Sequence, residues 1–272
     1  MSHASAKGIS VTTESILRRK LSGERISMVT CYDAAFGRIV ESSPIDMVLV
    51  GDSLGNVLLG YDSTIPVTLA DMIHHSAAVT RVVKRPFVAA DMPFMTYKNT
   101  DDALANAGKL MQLGGVKGVK LEGGEEICRQ VEALTKAGVP VIGHLGLTPQ
   151  SVHVLGGYRV QAKAKEAQKK LLSDARALED AGAFCLVLEM IPEGLAADVT
   201  KAMKIPTIGI GAGAGCDGQV LVMHDLLGFD ASFKPKFLKN YAHLNSVIAD
   251  ALTAYDQEVK SGKFPAAEHS FS

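Results

Sequence analysis

Five short apolar runs in this 272-residue chain each lead into a residue that can bind a cation or carry a proton. Met47–Val50 leads into Gly51-Asp52-Ser53, and Phe87–Ala90 leads into Asp91-Met92-Pro93. Val116–Leu121 contains Lys120 and is followed by Glu122, Val139–Gly143 is followed by His144, and Phe184–Leu188 by Glu189. If these runs are neighbouring parallel strands, about 4.8 Å apart, Asp52, Asp91 and Glu122 converge on one small volume. Lys120 and Glu122 share strand parity and point the same way. Three carboxylates that close repel one another unless a cation lies between them, and carboxylate oxygens select a hard ion such as Mg2+. Mg2+ keeps few protein ligands and leaves room for water or substrate. A 2-oxo acid offers it a five-membered chelate through carboxylate and keto oxygens, and the metal then acts as a Lewis acid toward an enolate. The expected chemistry is therefore a metal site of Asp52, Asp91 and Glu122 that enolises a small 2-oxo acid.

Each of these residues also has a plainer reading. A lone Asp behind a strand is commonly a helix cap or a turn residue. Acidic ends on consecutive strands are what favour a shared metal. Lys120 lies in an otherwise apolar strand, where an ammonium needs a charge partner that the carboxylates supply. His144 is a candidate substrate contact, with a structural histidine as the alternative. Glu189 ends a fully apolar run, so a partly desolvated carboxylate suited to a general base is expected there, against a salt-bridged rim residue. His74, His75 and His153 are given no role. Gly209–Gly213 follows the run Thr207–Ile210, where many barrels bind phosphate, although glycines there serve a tight turn equally well.

The elements that must position these groups repeat along the chain. The remaining apolar runs are Ile26–Thr30, Thr207–Ile210 and Val220–Met223, which makes eight. Runs this short and rich in Val and Ile suit strands buried on both faces. Between them lie helical patterns. Ala103, Leu104, Ala107, Leu110 and Met111 form one stripe within Asn99–Leu113, and Ile127, Val131 and Leu134 form another within Glu125–Ala137, closed by Gly138. Thr68 with Asp71 reads as a capping box, and Pro192 suits a first helical turn. Eight strands alternating with helices predict an α/β fold, a (β/α)8 TIM barrel. An open doubly wound sheet is the alternative, disfavoured because no G-x-G-x-x-G follows the first strand. Thr12–Lys20 predicts an extra N-terminal helix that plugs the barrel floor. Lys234–Tyr241 and Val247–Val259 predict C-terminal helices, and a single domain over residues 1–272 is expected, with 261–272 a loose tail. Two long strand-to-helix loops, Leu54–Val67 and Leu145–Ala162, fall on the rim where barrel active sites are built, and their composition suits packed lids.

Composition excludes some classes. Net charge is -1, from 28 Lys+Arg against 29 Asp+Glu, which gives no electrostatic case for nucleic acid or an anionic membrane. No apolar run reaches 18 residues, and Met1–Glu14 has no apolar core of a secretory leader. Cys31, Cys128, Cys185 and Cys216 form no C-x-x-C pair and read as reduced thiols of a cytoplasmic protein.

Met28–Asp33 (MVTCYD), Val50–Gly55 (VGDSLG), Ala90–Phe94 (ADMPF), Val119–Gly124 (VKLEGG), Gly143–Gly146 (GHLG), Leu188–Met190 (LEM), Gly209–Gly213 (GIGAG) and Asp217–Asp225 (DGQVLVMHD) occur in this order. On these segments the chain resembles the ketopantoate hydroxymethyltransferase family, from about Val11 to Leu238. The resemblance implies Mg2+ on Asp52, Asp91 and Glu122, substrate contacts from Ser53, Asp91 and Lys120, and Glu189 as proton acceptor. It also implies 3-methyl-2-oxobutanoate as acceptor, 5,10-methylenetetrahydrofolate as one-carbon donor, a role in pantothenate biosynthesis and a homodecamer of two pentameric rings. Three rivals remain open on the residues alone. One is a metal-dependent 2-oxo acid lyase or mutase of the phosphoenolpyruvate-mutase type. The others are a Schiff-base aldolase using Lys120 and a non-catalytic ligand-binding barrel.

Overall fold

Eight parallel strands run in chain order around a closed barrel: β1 (Ile26–Thr30), β2 (Met47–Val50), β3 (Phe87–Asp91), β4 (Gly118–Glu122), β5 (Val141–Gly146), β6 (Cys185–Glu189), β7 (Thr207–Ile210) and β8 (Gly218–Leu221). This computed structural model describes residues 9–271. Ile26–Val29 of β1 pair with Gly218–Leu221 of β8, which closes the ring and removes the open-sheet alternative. The described residues form two compact units, one up to Val222 and one from Met223 onward. The leader expectation for Met1–Glu14 rests partly on residues 1–8, outside the described residues.

Strand alternation builds the barrel interior. Successive side chains point to opposite faces, so Ile26 and Met28, Met47 and Leu49, Phe87 and Ala89, Cys185 and Val187 meet inside, with Ile142, Ile208 and Val220. Ile16 of α1 (Thr13–Ser22) and Val11, just before its cap, join the same cluster, so the expected floor plug is present. Thr12 caps that helix, and two ion pairs anchor it below the strands: Lys20 Nζ to Asp217 Oδ2 at 2.7 Å and Arg19 Nη2 to Asp46 Oδ1 at 2.9 Å.

The outer helices of this unit are α2 (Ala34–Glu41), α3 (Leu54–Val57), α4 (Leu69–Thr80), α5 (Thr100–Gln112), α6 (Cys128–Lys136), α7 (Val152–Leu155), α8 (Lys165–Asp180) and α9 (Glu193–Ala202). The Thr68–Asp71 capping box opens α4, with reciprocal bonds of 3.2 and 2.9 Å. Helix α5 buries Ala103, Ala107 and Leu110, while Leu104 of the expected stripe faces outward. The stretch Glu125–Ala137 is divided: a 3-10 turn over Glu125–Ile127 precedes α6.

The second unit holds α10 (Met223–Leu226) and α11 (Leu244–Lys260). The helix expected over Lys234–Tyr241 does not form. Pro235 starts one turn, with Leu238 N–H donating to its carbonyl at 3.0 Å. Asn240 then turns its side chain to Asp225 O at 2.6 Å, a side-chain bond that competes with helix continuation. Past α11, Phe264 packs its ring against Tyr255 and His269. Among the described residues no helix is long and apolar enough to cross a membrane, and Cys31, Cys128, Cys185 and Cys216 are all unpaired.

Candidate active site

The inward alternation continues one step above the apolar layers. After Phe87 and Ala89, the next inward residue of β3 is Asp91. Likewise β5 continues from Ile142 to His144, and β6 from Cys185 and Val187 to Glu189. Strand β4 presents Lys120 and Glu122 at one parity, with Lys120 in register with Asp91 and Glu122 with His144. The period that fills the core thus delivers the polar groups to the C-terminal rim.

Asp52 arrives by a turn rather than by a strand position. Its N–H donates to Asp91 Oδ2 at 3.0 Å. A β-carbon at Gly51 would lie 2.8 Å from Ser53 Oγ and 3.5 Å from Asp91 Oδ2, so glycine leaves both side chains room at this turn. Ser53 Oγ lies 2.9 Å from Tyr32 Oη, and His75 Nδ1 lies 2.7 Å from the Tyr32 carbonyl oxygen. Neither Tyr32 nor His75 was assigned from the sequence, and both buttress the Ser53 turn.

Asp52, Asp91, Lys120, Glu122 and His144 are all buried. Lys120 Nζ lies 3.3 Å from Asp91 Oδ1, 3.6 Å from Glu122 Oε1 and 2.9 Å from His144 Nδ1. His144 Nδ1 is also 3.3 Å from Glu122 Oε1, and its Nε2 is 3.1 Å from Glu189 Oε2. His144 therefore bridges the charge cluster to Glu189. The Glu189 side chain is 18 % exposed against 3 % for His144, so Glu189 is the group that faces the mouth. The His144–Glu189 contact is not well directed. Catalytic hydrogen bonds of this kind often tighten only when substrate is bound.

Burial, reinforced by the charges of Asp91 and Glu122, holds the Asp52 carboxyl well above the usual carboxylate range. Burial also raises Asp91, against the opposing pull of Lys120. Burial would raise Glu122 as well, but Lys120 and His144 outweigh it and the net shift is downward. For Lys120, burial pulls the pKa down, and Asp91, Glu122 and Asp52 together more than reverse it. An amine held this way stays protonated and is not a nucleophile, which counts against the Schiff-base reading. Burial and Lys120 push the His144 pKa down, and Glu122 and Glu189 more than reverse this, for a net increase.

A cation fits this donor set. Asp91 Oδ1 and Glu122 Oε1 are buried without a well-directed hydrogen bond. Three carboxylates face one ammonium, and burial, with the neighbouring carboxylates adding to it, raises Asp52 and Asp91. Lys120 Nζ lies between Asp91 and Glu122. Accordingly, among the described residues no three acidic, His or Cys side chains already form a closed ligand cluster.

The two long loops on this rim have buried bases and exposed tips. Leu54, Val67, Leu147 and Val152 are buried, whereas Tyr61, Val154 and Tyr158 are exposed. Gln150, on a 3-10 turn over Pro149–Ser151, is buried and was not singled out from the sequence. It donates to Asp52 Oδ2 at 2.8 Å. The glycines after β7 have a packing explanation. A β-carbon at Gly213 would run into Glu193, whose Oε1 is 3.5 Å from Ala214 N. A phosphate there would meet a carboxylate.

A model of the ketopantoate hydroxymethyltransferase family matches residues 10–267. A 3-methyl-2-oxobutanoate hydroxymethyltransferase from a Thermoanaerobacter species is 53 % identical over 263 residues, covering 96 % of each chain. One from Halalkalibacterium halodurans is 54 % identical over 262 residues, covering 96 % of this chain and 94 % of the other. Among solved structures, a phosphonopyruvate hydrolase complexed with oxalate and Mg++ superposes with a TM-score of 0.63 at 10 % identity, over 95 % of this chain and 93 % of the other. A 2,3-dimethylmalate lyase of the PEP mutase/isocitrate lyase superfamily superposes at 0.60 and 16 % identity, over 97 % and 93 %. At such identities these two share the fold alone.

Proposed function

Since the chain belongs to the ketopantoate hydroxymethyltransferase family and is thereby a hydroxymethyl-transferring enzyme, we propose that it transfers a hydroxymethyl group from 5,10-methylenetetrahydrofolate to 3-methyl-2-oxobutanoate. The product is ketopantoate, on the route to pantothenate. Asp52, Asp91 and Glu122 would hold Mg2+, which when bound supplies a Lewis acid for the ketone oxygen of a 2-oxo acid.

The observation that carries this reading is the pairing of Glu189 with His144 beside the Lys120 cluster. Glu189 Oε2 accepts the C3 proton of the 2-oxo acid. His144 Nε2 lies 3.1 Å from the same carboxylate, close enough to bond it once substrate tightens the site. Lys120 faces the oxygen on which negative charge grows, and fixed charge of this kind in a dry site is worth more than in water. Ser53, held by Tyr32, contacts the substrate from the β2 side together with Asp52 and Asp91. Water adds to the methylene carbon of the folate and both C–N bonds break, so that tetrahydrofolate leaves and the carbon is released at the formaldehyde level. C3 of the acid bonds that carbon, and the new alkoxide oxygen takes up the proton that Glu189 removed.

The unpaired thiols, buried at Cys31, Cys185 and Cys216, suit a reducing compartment, which supports a cytoplasmic location. Val247, Ile248, Leu252, Tyr255 and Val259 of α11 are 40 to 63 % exposed and form an apolar face at helical spacing. This supports assembly into the expected homodecamer. The deciding assay follows ketopantoate formation from 3-methyl-2-oxobutanoate and methylenetetrahydrofolate, with and without a chelator. Activity that disappears with chelator and returns with Mg2+ is expected. Turnover of a phosphonate or a 2-methylcitrate-type acid without folate would instead identify a lyase.

A further inference from the structure

We infer that Gln150 is a positioning residue that sets the Asp52 and Glu122 carboxylates for a divalent cation, and that Tyr97 in turn sets Gln150. The inference rests on the metal reading above and adds two residues to it. Gln150 Nε2 donates to Asp52 Oδ2 at 2.8 Å and to the Met92 carbonyl at 3.0 Å. Its Oε1 accepts from Tyr97 Oη at 2.7 Å, and its backbone N–H donates to Glu122 Oε2 at 3.0 Å. Tyr97 Oη is also 3.2 Å from the Glu122 carbonyl oxygen, and Gln130 Nε2 donates to the Tyr97 carbonyl at 3.2 Å.

These bonds allow the carboxamide one orientation. Turned over, its oxygen would face a carboxylate oxygen and a carbonyl oxygen, with no donor on that side. Both Nε2 hydrogens are used on Asp52 and Met92, and Gln150 is only 4 % exposed. One residue therefore grips carboxylates that come from the ends of β2 and β4. It does so as a neutral donor. A Lys or Arg in its place would satisfy the same oxygens but bring a charge that competes with the cation. Through Gln150, Asp52 Oδ2 and Glu122 Oε2 are each engaged, while Glu122 Oε1 keeps no well-directed hydrogen bond. That pattern suits monodentate ligation by an ion that takes few protein ligands.

Gln150 also lies within the long connection that follows β5, on the 3-10 turn immediately before α7. The base of that loop is thus tied to the carboxylates of Asp52 and Glu122. A purely structural role would predict lost stability alone. A positioning role predicts lost metal affinity, of about 10- to 100-fold for removal of such an outer partner.

The test uses the full chain and Mn2+ alone, with free Mn2+ followed by its electron paramagnetic resonance signal, and needs no turnover. Gln150→Ala is expected to weaken Mn2+ binding by about 10- to 100-fold, and Tyr97→Phe by less. Tyr97→Phe should have no further effect in the Gln150→Ala background, because its hydroxyl acts through Gln150. Asp52→Asn is the control and should abolish binding. If Asp52→Asn loses Mn2+ while Gln150→Ala binds within twofold of the parent chain, the inference is overturned and the metal reading stands. If Asp52→Asn binds unchanged, the metal reading goes and the inference with it. Should Gln150→Ala fail to fold, Tyr97→Phe decides alone. Weaker Mn2+ binding at an unchanged thermal midpoint supports the role, and unchanged binding overturns it.

Discussion

Lys120→Met removes the ammonium that Asp91, Glu122 and Asp52 face, and replaces it with a side chain of similar length and no charge. Removing one partner of a buried ion pair costs about 3–5 kcal/mol, because the other charge is left uncompensated. Lys120 serves two carboxylates at 3.3 and 3.6 Å. Both distances exceed the ~2.8 Å of an ideal charge-assisted bond, so the middle of that range, about 4 kcal/mol, is the fitting figure. For a chain of this size each kcal/mol moves the thermal midpoint by about 2–4 °C, which predicts a fall of about 8–16 °C in EDTA. Mg2+ should restore much of it. A ligand at 100 times its dissociation constant contributes about 2.7 kcal/mol. The variant should also gain more from Mg2+ than the parent chain, since the ion then supplies the missing positive charge. The assay is thermal unfolding by circular dichroism, with EDTA and with Mg2+. A variant whose metal-free midpoint stays within about 2 °C of the parent would show that the carboxylates do not depend on the Lys120 charge.

Glu189→Gln keeps size and polarity but cannot accept a proton at neutral pH. Deuterium exchange at C3 of 3-methyl-2-oxobutanoate, followed without folate, should fall by about 10²–10⁴-fold. Parent-like exchange with no product would move Glu189 to a later step. Asp52→Ala or Asp91→Ala should abolish metal-dependent activity with the fold retained by circular dichroism, and full activity in either without added metal would end the metal reading. The pH dependence follows from the raised Asp52 and Asp91 values. Their stabilising contribution is present below the ordinary carboxylate pKa and is lost as pH rises through the raised folded values. The lowered Glu122 acts oppositely, losing its contribution as pH falls through its folded value. Because Mg2+ binds the deprotonated groups, its thermal shift should be larger at about pH 8 than at about pH 5.5, and equal shifts would contradict this. Light scattering at micromolar concentration should report a large homo-oligomer, and a monomer would contradict the assembly.

Strand content and the identity of the rim residues were legible in the sequence because both follow a local rule. Alternation with a period of two needs only neighbouring residues. Asp91, Lys120, Glu122, His144 and Glu189 could therefore be read as strand-end groups, and Lys120 with Glu122 as a same-side pair. Gly138, left-handed at φ +85° behind α6, was equally local. The Lys234–Tyr241 helix failed because Asn240 found a partner in Asp225 O, outside the segment that periodicity samples. Other features required the closed barrel. Gln150 and Asp52 are 98 positions apart and meet only when the loop after β5 folds across the end of β2. Tyr97 reaches Gln150 over 53 positions, and Tyr32 reaches Ser53 over 21. None of the three carries a period, a cap or a charge that marks it beforehand. A buried amide or hydroxyl must find partners wherever the fold puts them, and that choice is made by the tertiary structure. Lys120 lying between Asp91 and Glu122, and His144 linking that cluster to Glu189, were settled the same way. Parity chose the side each residue faces, and the packing of neighbouring strands chose its partner.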